Sequence, residues 1–331
     1  LRRLAQAHRP ALAHHGHRPA PLGAWVLISE SWYQWLSACG ASGLERSTTL
    51  HYGQHVAEHI NPFIGGLKLT QVTTPRVYAF IDELTANGRS PEMVRRAVQS
   101  LGRVFKFAKG RGLAAHNPVA GVELRSSKRG KARAEVPSKD ELRAILATAQ
   151  GRWRPLIVTA LFTGLRASEL RGLRWSDLTR KVLHVRQRAD AWKALGTPKT
   201  AAGQRDVPLA PVVINTLREW RLACPRGDLD LVFPTGAGNV EDHPNIVARG
   251  WNPVQVAAGV VSVDGRSKYN FHVLRHAAAS MFIEQGMNPK RIQSVMGHSS
   301  IQVTYDVYGF LFADDDADQK AMEAIEARLL G

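Results

Sequence analysis

Cysteine is nearly missing from this chain: 331 residues hold only Cys39 and Cys224. Two thiols cannot build a disulfide framework, and their scarcity suits a reducing cytoplasm. Long apolar runs are missing too. Leu156 to Leu165, among the longest, falls far short of the ~20 residues of a membrane helix and is bounded by Arg154 and Arg166. There is no P-loop and no dinucleotide fingerprint, so the common cradles for ATP and NAD are excluded. Metal-ligand spacing is wanting as well. His8, His14, His15 and His17 have no Cys or acidic companion. Asp314, Asp315, Asp316 and Asp318 would tempt a magnesium-nuclease reading, but they stand just before QKAMEAIEARLL and read as charge compensation at a helix N-terminus. Negative charge is also short: 28 acidic residues face 44 basic ones, a formal +16. A surplus of that size selects polyanionic partners, with DNA and RNA ahead of an anionic membrane for which no anchor is evident.

What is present is a globular composition, 44% hydrophobic and 22% charged, which sets wholesale disorder aside. The length suits two domains. Residues 1–23 form an irregular basic arm without the apolar core of a secretion signal. Its start at Leu1 rather than Met reads as a fragment. Residues 24–118 form a helical module. SWYQWLSA, STTLHYGQHVAEHINPFIG, TPRVYAFIDELTANG and SPEMVRRAVQSLGRVFKFAKGRG each begin near a Ser or Thr cap, and three end at Gly. Thr74 and Pro75 are expected as N-cap and first turn of the third. Residues 119–137 carry Pro, Gly, Ser and a basic run, the composition of a linker. Arg125, Lys128, Arg129, Lys131 and Arg133 there either lie on phosphates or form a plain solvated linker; both readings stand. Through Glu135 the chain has 19 basic and 8 acidic residues, +11, against 25 and 20, +5, beyond it, so the smaller part holds the denser positive field.

Residues 138–331 read as α+β, mainly helical with a small antiparallel sheet. Ser138 and Glu141 make a capping box. A helix follows through RPLIVTALFTG, then the strand-like pieces KVLHV and QRDVPLA with a hairpin-like connection between them, and then further helices.

Four stretches in this half carry polar residues that stand out. In TGLRASELRGLRW, Arg166 and Glu169 share a helix face. An arginine fork oriented by a carboxylate is a strong anion clamp, though a surface ion pair has the same spacing. In NFHVLRHAAAS, His272 and Arg275 point the same way, so that one can exchange protons near neutral pH while the other holds negative charge; Phe271 and Leu274 face the core. His276 is a competing registration. MGHSSIQVTYDVYGF adds His298 and then Tyr305 and Tyr308. A tyrosine hydroxyl, with a reference pKa of about 10, needs cationic neighbours to become a nucleophile, and Arg166, Arg275 and His298 can supply them. Lys199, in TPKTAAGQRDVPL, is placed to protonate a leaving oxygen, or is a solvated turn lysine.

Taken in order, TGLRASEL, TPKTxxxxRxVPL, HxLRH, GHSS and the tyrosine of TYDVYG, across about 145 residues, closely resemble the signature of tyrosine recombinases of the phage-integrase type. The resemblance covers the whole second half. It reaches the first through HYGQHVAEHINPFIGGLKLTQVT, which resembles the start of the family's helical core-binding domain. It implies a DNA-binding helical domain and a catalytic domain closing as a C-shaped clamp on double-stranded DNA. It makes Arg166 and Arg275 phosphate clamps, Lys199 the acid assisting the 5′ leaving group, His272 a general acid/base, His298 a member of the pocket, Glu169 a support for Arg166, and Tyr308 the nucleophile that forms a 3′-phosphotyrosine. Tyr305 is the rival, short of the family's usual spacing. The implied reaction is site-specific strand exchange without metal, ATP or other cofactor, in the bacterial cytosol or nucleoid, by a protein of host, phage or mobile-element origin.

The implied partners are four protomers on paired sites and accessory DNA-bending or directionality proteins. The helix Ala321 to Leu330 presents Met322, Ile325, Leu329 and Leu330 as a stripe that docks on a neighbour or packs on its own domain. Two features depart from the pattern. Nothing before Trp25 has the strands of an arm-binding domain, and Gly309, Phe310 and Leu311 stand where relatives often have Gly-His-Leu. Two rivals remain: a type IB topoisomerase, against which the length and the first domain speak, and a catalytically silent DNA-binding protein, which loss of Arg166, Arg275 or Tyr308 would have signalled.

Overall fold

The computed structural model describes residues 25–124, 135–312 and 315–330. The arm and the basic run from Arg125 to Arg133 lie outside them. The chain forms two compact units, Leu1–Gly130 and Lys131–Gly331.

The first unit is helical: α1 (Ile28–Ala41), α2 (Arg46–His55) running through a π-helical stretch (Val56–Ile60) into α3 (Asn61–Ile64), α4 (Thr74–Ala86) and α5 (Pro91–Gly110). Its core follows the helical period. On α5, Val94, Ala97, Val98, Leu101, Val104, Phe105 and Ala108 are buried, and they meet Val77, Phe80 and Leu84 of α4 and Ile28, Trp32 and Trp35 of α1 in one cluster. Ser90 caps α5 by accepting from the Met93 N–H at 3.3 Å, with Pro91 in the first turn. The cap of α4 differs from expectation by one residue. Thr73 accepts from the Arg76 N–H, and Thr74 is already helical, spending its hydroxyl on the Pro118 carbonyl.

The second unit opens with α6 (Lys139–Thr148), whose capping box is formed as read: Ser138 Oγ accepts from the Glu141 N–H at 3.1 Å and Glu141 Oε2 from the Ser138 N–H at 2.8 Å. Next comes α7 (Trp153–Thr163), apolar all round and buried on nearly every face, against α9 (Pro211–Ala223) and α12 (Val273–Glu284). Gly164 ends α7 in the left-handed region at φ 64°, and α8 (Ala167–Gly172) starts three residues later. The strands β1 (Val182–Val185) and β4 (Arg205–Pro208) pair antiparallel, Leu183 opposite Val207 and Val185 opposite Arg205. The chain between them is more than a hairpin connection. It holds a second antiparallel pair, β2 (Arg188–Ala189) with β3 (Leu195–Gly196).

A helical stretch with no forecast in the sequence follows: α10 (His243–Asn245), a π-helical segment (Ile246–Trp251) and α11 (Asn252–Ala257). Pro244, Gly250 and Pro253 punctuate it and hide the periodicity, yet Ile246, Trp251 and Val254 are buried in the main core. The unit closes with α12, α13 (Pro289–Met296), α14 (Ile301–Tyr308) and α15 (Asp315–Leu330). Residues 322–330 of α15 are all exposed among the described residues; Leu329 and Leu330 stand 77% and 83% open. Among the described residues no helix is long and apolar enough to cross a membrane.

The backbone of β2 passes so close to the end of α8 that a Cβ on Gly172 would meet the Arg188 carbonyl carbon at 2.8 Å. Gly172→Ala is therefore expected to lose about 1–3 kcal/mol in urea unfolding. Gly196→Ala, where nothing lies within 4 Å, is the control and should move by less than about 0.5 kcal/mol. Equal midpoints for the two variants would refute the close approach.

Candidate active site

The site grows from the turn after α7. Arg166 is the N-cap residue of α8, and its own N–H donates to Glu169 Oε2 at 2.9 Å while its Nη1 donates to Oε1 at 2.9 Å. The pair foreseen at i, i+3 is thus joined twice, with the Glu169 carboxylate accepting from both the backbone and the guanidinium of Arg166. Glu169 is 3% exposed and has a second partner that the sequence reading left unremarked. Arg205, the first residue of β4, donates from Nη1 and Nη2 to the two carboxylate oxygens at 3.0 and 2.8 Å, and from Nε to the Val295 carbonyl of α13. The signal lay in QRDVPLA: strand alternation puts Arg205 and Val207 on the inward face and Asp206 outside. Burial pushes the Glu169 carboxyl up, but hydrogen bonds and charge from Arg205, then Arg166, outweigh it and hold the carboxyl below its ordinary value.

The two sequence-predicted clamps meet on one turn. Arg166 Nη2 donates to the Gly297 carbonyl at 3.0 Å, and Arg275 Nη2 donates to the neighbouring Met296 carbonyl at 2.5 Å. Arg275 Nη1 also holds the Gly164 carbonyl at 2.6 Å, tying α12 to the turn before Arg166. A guanidinium has five N–H donors, so these tethers orient each fork without exhausting it. Burial first, then the charge of Arg166, lower the Arg275 pKa to about 9, and it stays protonated at neutral pH.

Lys199 enters from the segment after β3. It lines a cleft of about 240 Å³ with Arg166, Ser168, Glu169, Arg188, Gly297 and Ser299. A wider and shallower depression of about 850 Å³, lined by His184, Arg186, Asp206 and Arg291, shares Arg205 with the site but holds none of the residues singled out from the sequence.

His298 follows the left-handed Gly297; it is 6% exposed and its Nδ1 lies 2.9 Å from the Thr304 hydroxyl. Burial, then Arg275, Arg166 and Arg205, press its pKa to about 3. His272 caps α12, with Phe271 and Leu274 in the core as expected. Crowded surroundings, then His276, Arg275 and Arg166, bring it to about 4. His272 is exposed to solvent, so water tempers both the burial and the charge contributions there. The expectation of a histidine poised near neutrality is corrected: both rings are neutral at pH 7 while the cleft carries only its own cations.

Tyr308 ends α14 and is 2% exposed, in a small cluster with Ala279, Ile283, Ile292 and Met296. Its hydroxyl bonds His276 Nδ1 at 2.7 Å, and its ring stacks on His298 with centroids 6.5 Å apart. Burial raises its pKa to about 12, with the opposing pull of Arg275 smaller. The cationic field expected to favour a phenolate loses to desolvation here, and Tyr308 is a phenol at neutral pH. Tyr305 is 45% exposed, and its ring meets Phe312 at a tilt with centroids 5.6 Å apart. Among the described residues there is no cluster of three or more potential metal ligands.

Known proteins are similar to this chain in sequence and in fold. Residues 136–312 match the Phage integrase family and residues 30–124 the Phage integrase central domain. A "Tyrosine recombinase XerC-like" protein of Caldanaerobacter subterraneus subsp. tengcongensis is 25% identical over 315 residues, 86% of this chain and 79% of that protein. The fold is that of the Tn1549 transposon integrase solved in complex with a circular intermediate DNA, with a TM-score of 0.73, 20% identity, and 90% of this chain and 99% of that one covered. It is also that of a lambda integrase tetramer bound to a Holliday junction, with a TM-score of 0.67, 18% identity, and 87% and 83% covered.

Removing Glu169 would strand the buried Arg205. Glu169→Ala is expected to cost about 3–5 kcal/mol at neutral pH. The folded carboxyl titrates below its ordinary value of 4.5, so its stabilisation is complete above that value and is lost as the pH falls through the lower folded value. Urea melts of the two proteins should converge on acidification; a gap independent of pH would contradict the assignment.

Proposed function

The chain belongs to the phage integrase family and is a site-specific recombinase, and from that premise we propose that it breaks and rejoins double-stranded DNA through a covalent bond between Tyr308 and a 3′ phosphate. The observation that carries the reading is the convergence of Arg166 and Arg275 on the consecutive carbonyls of Gly297 and Met296, beside His298 and the cleft that Lys199 lines. Two oriented guanidinium groups and a lysine against one carboxylate leave a net positive recess, matched to a phosphodiester whose charge grows in the transition state.

A scissile phosphate placed there would be gripped by Arg166 and Arg275. Tyr308 Oη would form a bond to phosphorus as the bond to the 5′ oxygen breaks, and Lys199 would give that oxygen its proton. Bond energy is kept in the phosphotyrosine, so a 5′ hydroxyl of a second strand reverses the step without ATP. An anion in the recess reverses the electrostatics at His272 and His298, because negative charge favours their protonated forms.

The domain assignment of 24–118 as core-binding, 119–137 as linker and 138–331 as catalytic is part of the same proposal. So are phosphate contacts by Arg125, Lys128, Arg129, Lys131 and Arg133, accessory DNA-bending or directionality proteins, and action on DNA in the bacterial cytosol. Assembly into a tetramer on paired sites is supported by the stripe Met322, Ile325, Leu329 and Leu330, which stands exposed among the described residues, and by the lambda integrase tetramer of similar fold.

Nicked suicide duplexes offered with EDTA present test the chemistry. Wild type should leave a protein-linked 3′ end and Tyr308→Phe none; an adduct that persists in Tyr308→Phe would refute the nucleophile. Truncation after Asp318 should abolish the tetramer on DNA while leaving single-site binding intact, and a tetramer that survives would refute docking through the last helix.

A further inference from the structure

We propose that His276 is the proton acceptor that activates Tyr308, a role distinct from those of His272 and His298; the inference rests on Tyr308 being the nucleophile. The residue reading of HxLRH left His276 only as a competing registration, yet it is the side chain that the tyrosine hydroxyl touches. Its Nδ1 lies 2.7 Å from Oη. The other rings stand differently: His298 stacks on the face of Tyr308, and His272 meets His276 edge-on at 5.0 Å between centroids. The three histidines therefore divide the surroundings of the phenol, with His276 alone among them hydrogen-bonded to the oxygen.

The proposal assigns that hydrogen bond a direction. Tyr308 is buried and protonated at neutral pH, so Oη–H is available to donate. His276 is held below its usual pKa by burial and then by Arg275, so its imidazole is neutral, and the proposed tautomer carries the proton on Nε2 and leaves Nδ1 to accept. A phenol at this position needs a base at the moment of attack, since the cations near it do not ionise it beforehand.

Chain placement joins this base to the phosphate clamp. Arg275 and His276 are consecutive on α12, and Arg275 is fixed at both ends by the Gly164 and Met296 carbonyls. A second cation beside Arg275 is unfavourable in the DNA-free site, so the proton stays on Tyr308. A phosphate bound by Arg275 and Arg166 offsets that repulsion and makes the imidazolium acceptable. Activation of the nucleophile is thereby tied to the arrival of the diester.

The step balances. Tyr308 Oη bonds to phosphorus and its proton passes to His276 Nδ1; the bond from phosphorus to the 5′ oxygen breaks and that oxygen takes a proton from Lys199. In rejoining, the attacking 5′ hydroxyl returns its proton to Lys199, and the His276 imidazolium reprotonates the departing phenolate.

The test compares wild type, His276→Asn, His276→Ala, Lys199→Ala and Tyr308→Phe on two suicide duplexes, one ordinary and one with a 5′-bridging sulfur whose leaving group needs no proton. In His276→Asn the amide oxygen keeps an acceptor near the Nδ1 position but cannot take the proton. It should bind DNA as wild type does and cleave both duplexes about 10²- to 10⁴-fold more slowly. Lys199→Ala should be slow on the ordinary duplex and restored by sulfur. Free imidazole should raise the rate of His276→Ala, a gain that does not depend on how the Asn variant folds. Cleavage by His276→Asn within threefold of wild type, faster cleavage, restoration by sulfur, or no response of the Ala variant to imidazole would each overturn the proposal. If Tyr308→Phe forms an adduct, the nucleophile reading itself fails; if it is silent while His276→Asn cleaves normally, only the role of His276 does.

Discussion

Glu169 carries the geometry of the second unit. A carboxylate 3% exposed is costly to bury unless every lone pair is answered, and here Arg166 and Arg205 answer both oxygens while the Arg166 N–H adds a further donor. Through those two arginines one residue of α8 is fixed to β4, to the Val295 carbonyl of α13 and to the Gly297 turn. A hydrophobic replacement of similar volume would often be as stable. It would not fix the direction in which Arg166 points. The network is best understood as specification of an anion site, for which the sign of the charge matters as much as its placement.

That sign propagates outward. Arg166, Arg205 and Arg275 exceed the single buried carboxylate, so the empty recess has a positive surplus. Burial first, and this charge after it, act on the neighbours: His298 and His272 are driven to about 3 and 4, and His276 is lowered as well. Tyr308 shows that a cationic field does not by itself make a nucleophile. Burial in the cluster with Ile283, Ile292 and Met296 wins, and the phenol pKa rises to about 12. On the proposed reading an anion balances that surplus, and phosphate binding and proton movement are parts of one equilibrium rather than successive events.

Much of this was legible in the chain because the relevant chemistry is local. The Ser138–Glu141 box, the Gly164 stop before Arg166, and the helical spacing of Phe271, Leu274 and Arg275 are short-range patterns that the fold keeps. What could not be read depends on long-range pairing. Arg205 meets Glu169 across 36 residues, and the contact of His276 with Tyr308 spans 32. The helical run from His243 to Ala257 was masked by prolines and a glycine that normally end helices, and its apolar residues declare themselves only against the main core. At Thr73 and Thr74 the local rules allow either threonine to cap. The Pro118 carbonyl, which takes the Thr74 hydroxyl, distinguishes them, and that contact is again distant in sequence.

The last helix poses the converse problem, a segment whose pattern is plain and whose apolar stripe stands exposed among the described residues. Fully burying an aliphatic side chain stabilises by about 1.5–3 kcal/mol, and Met322, Ile325, Leu329 and Leu330 leave most of that unrealised. Single exposed apolar residues are ordinary, but a stripe at helical spacing is a surface built for burial. A lone protomer gains nothing from it. A second copy of the chain, held nearby on the same DNA, would meet it at high effective concentration, so weak docking would suffice where free protomers stay apart.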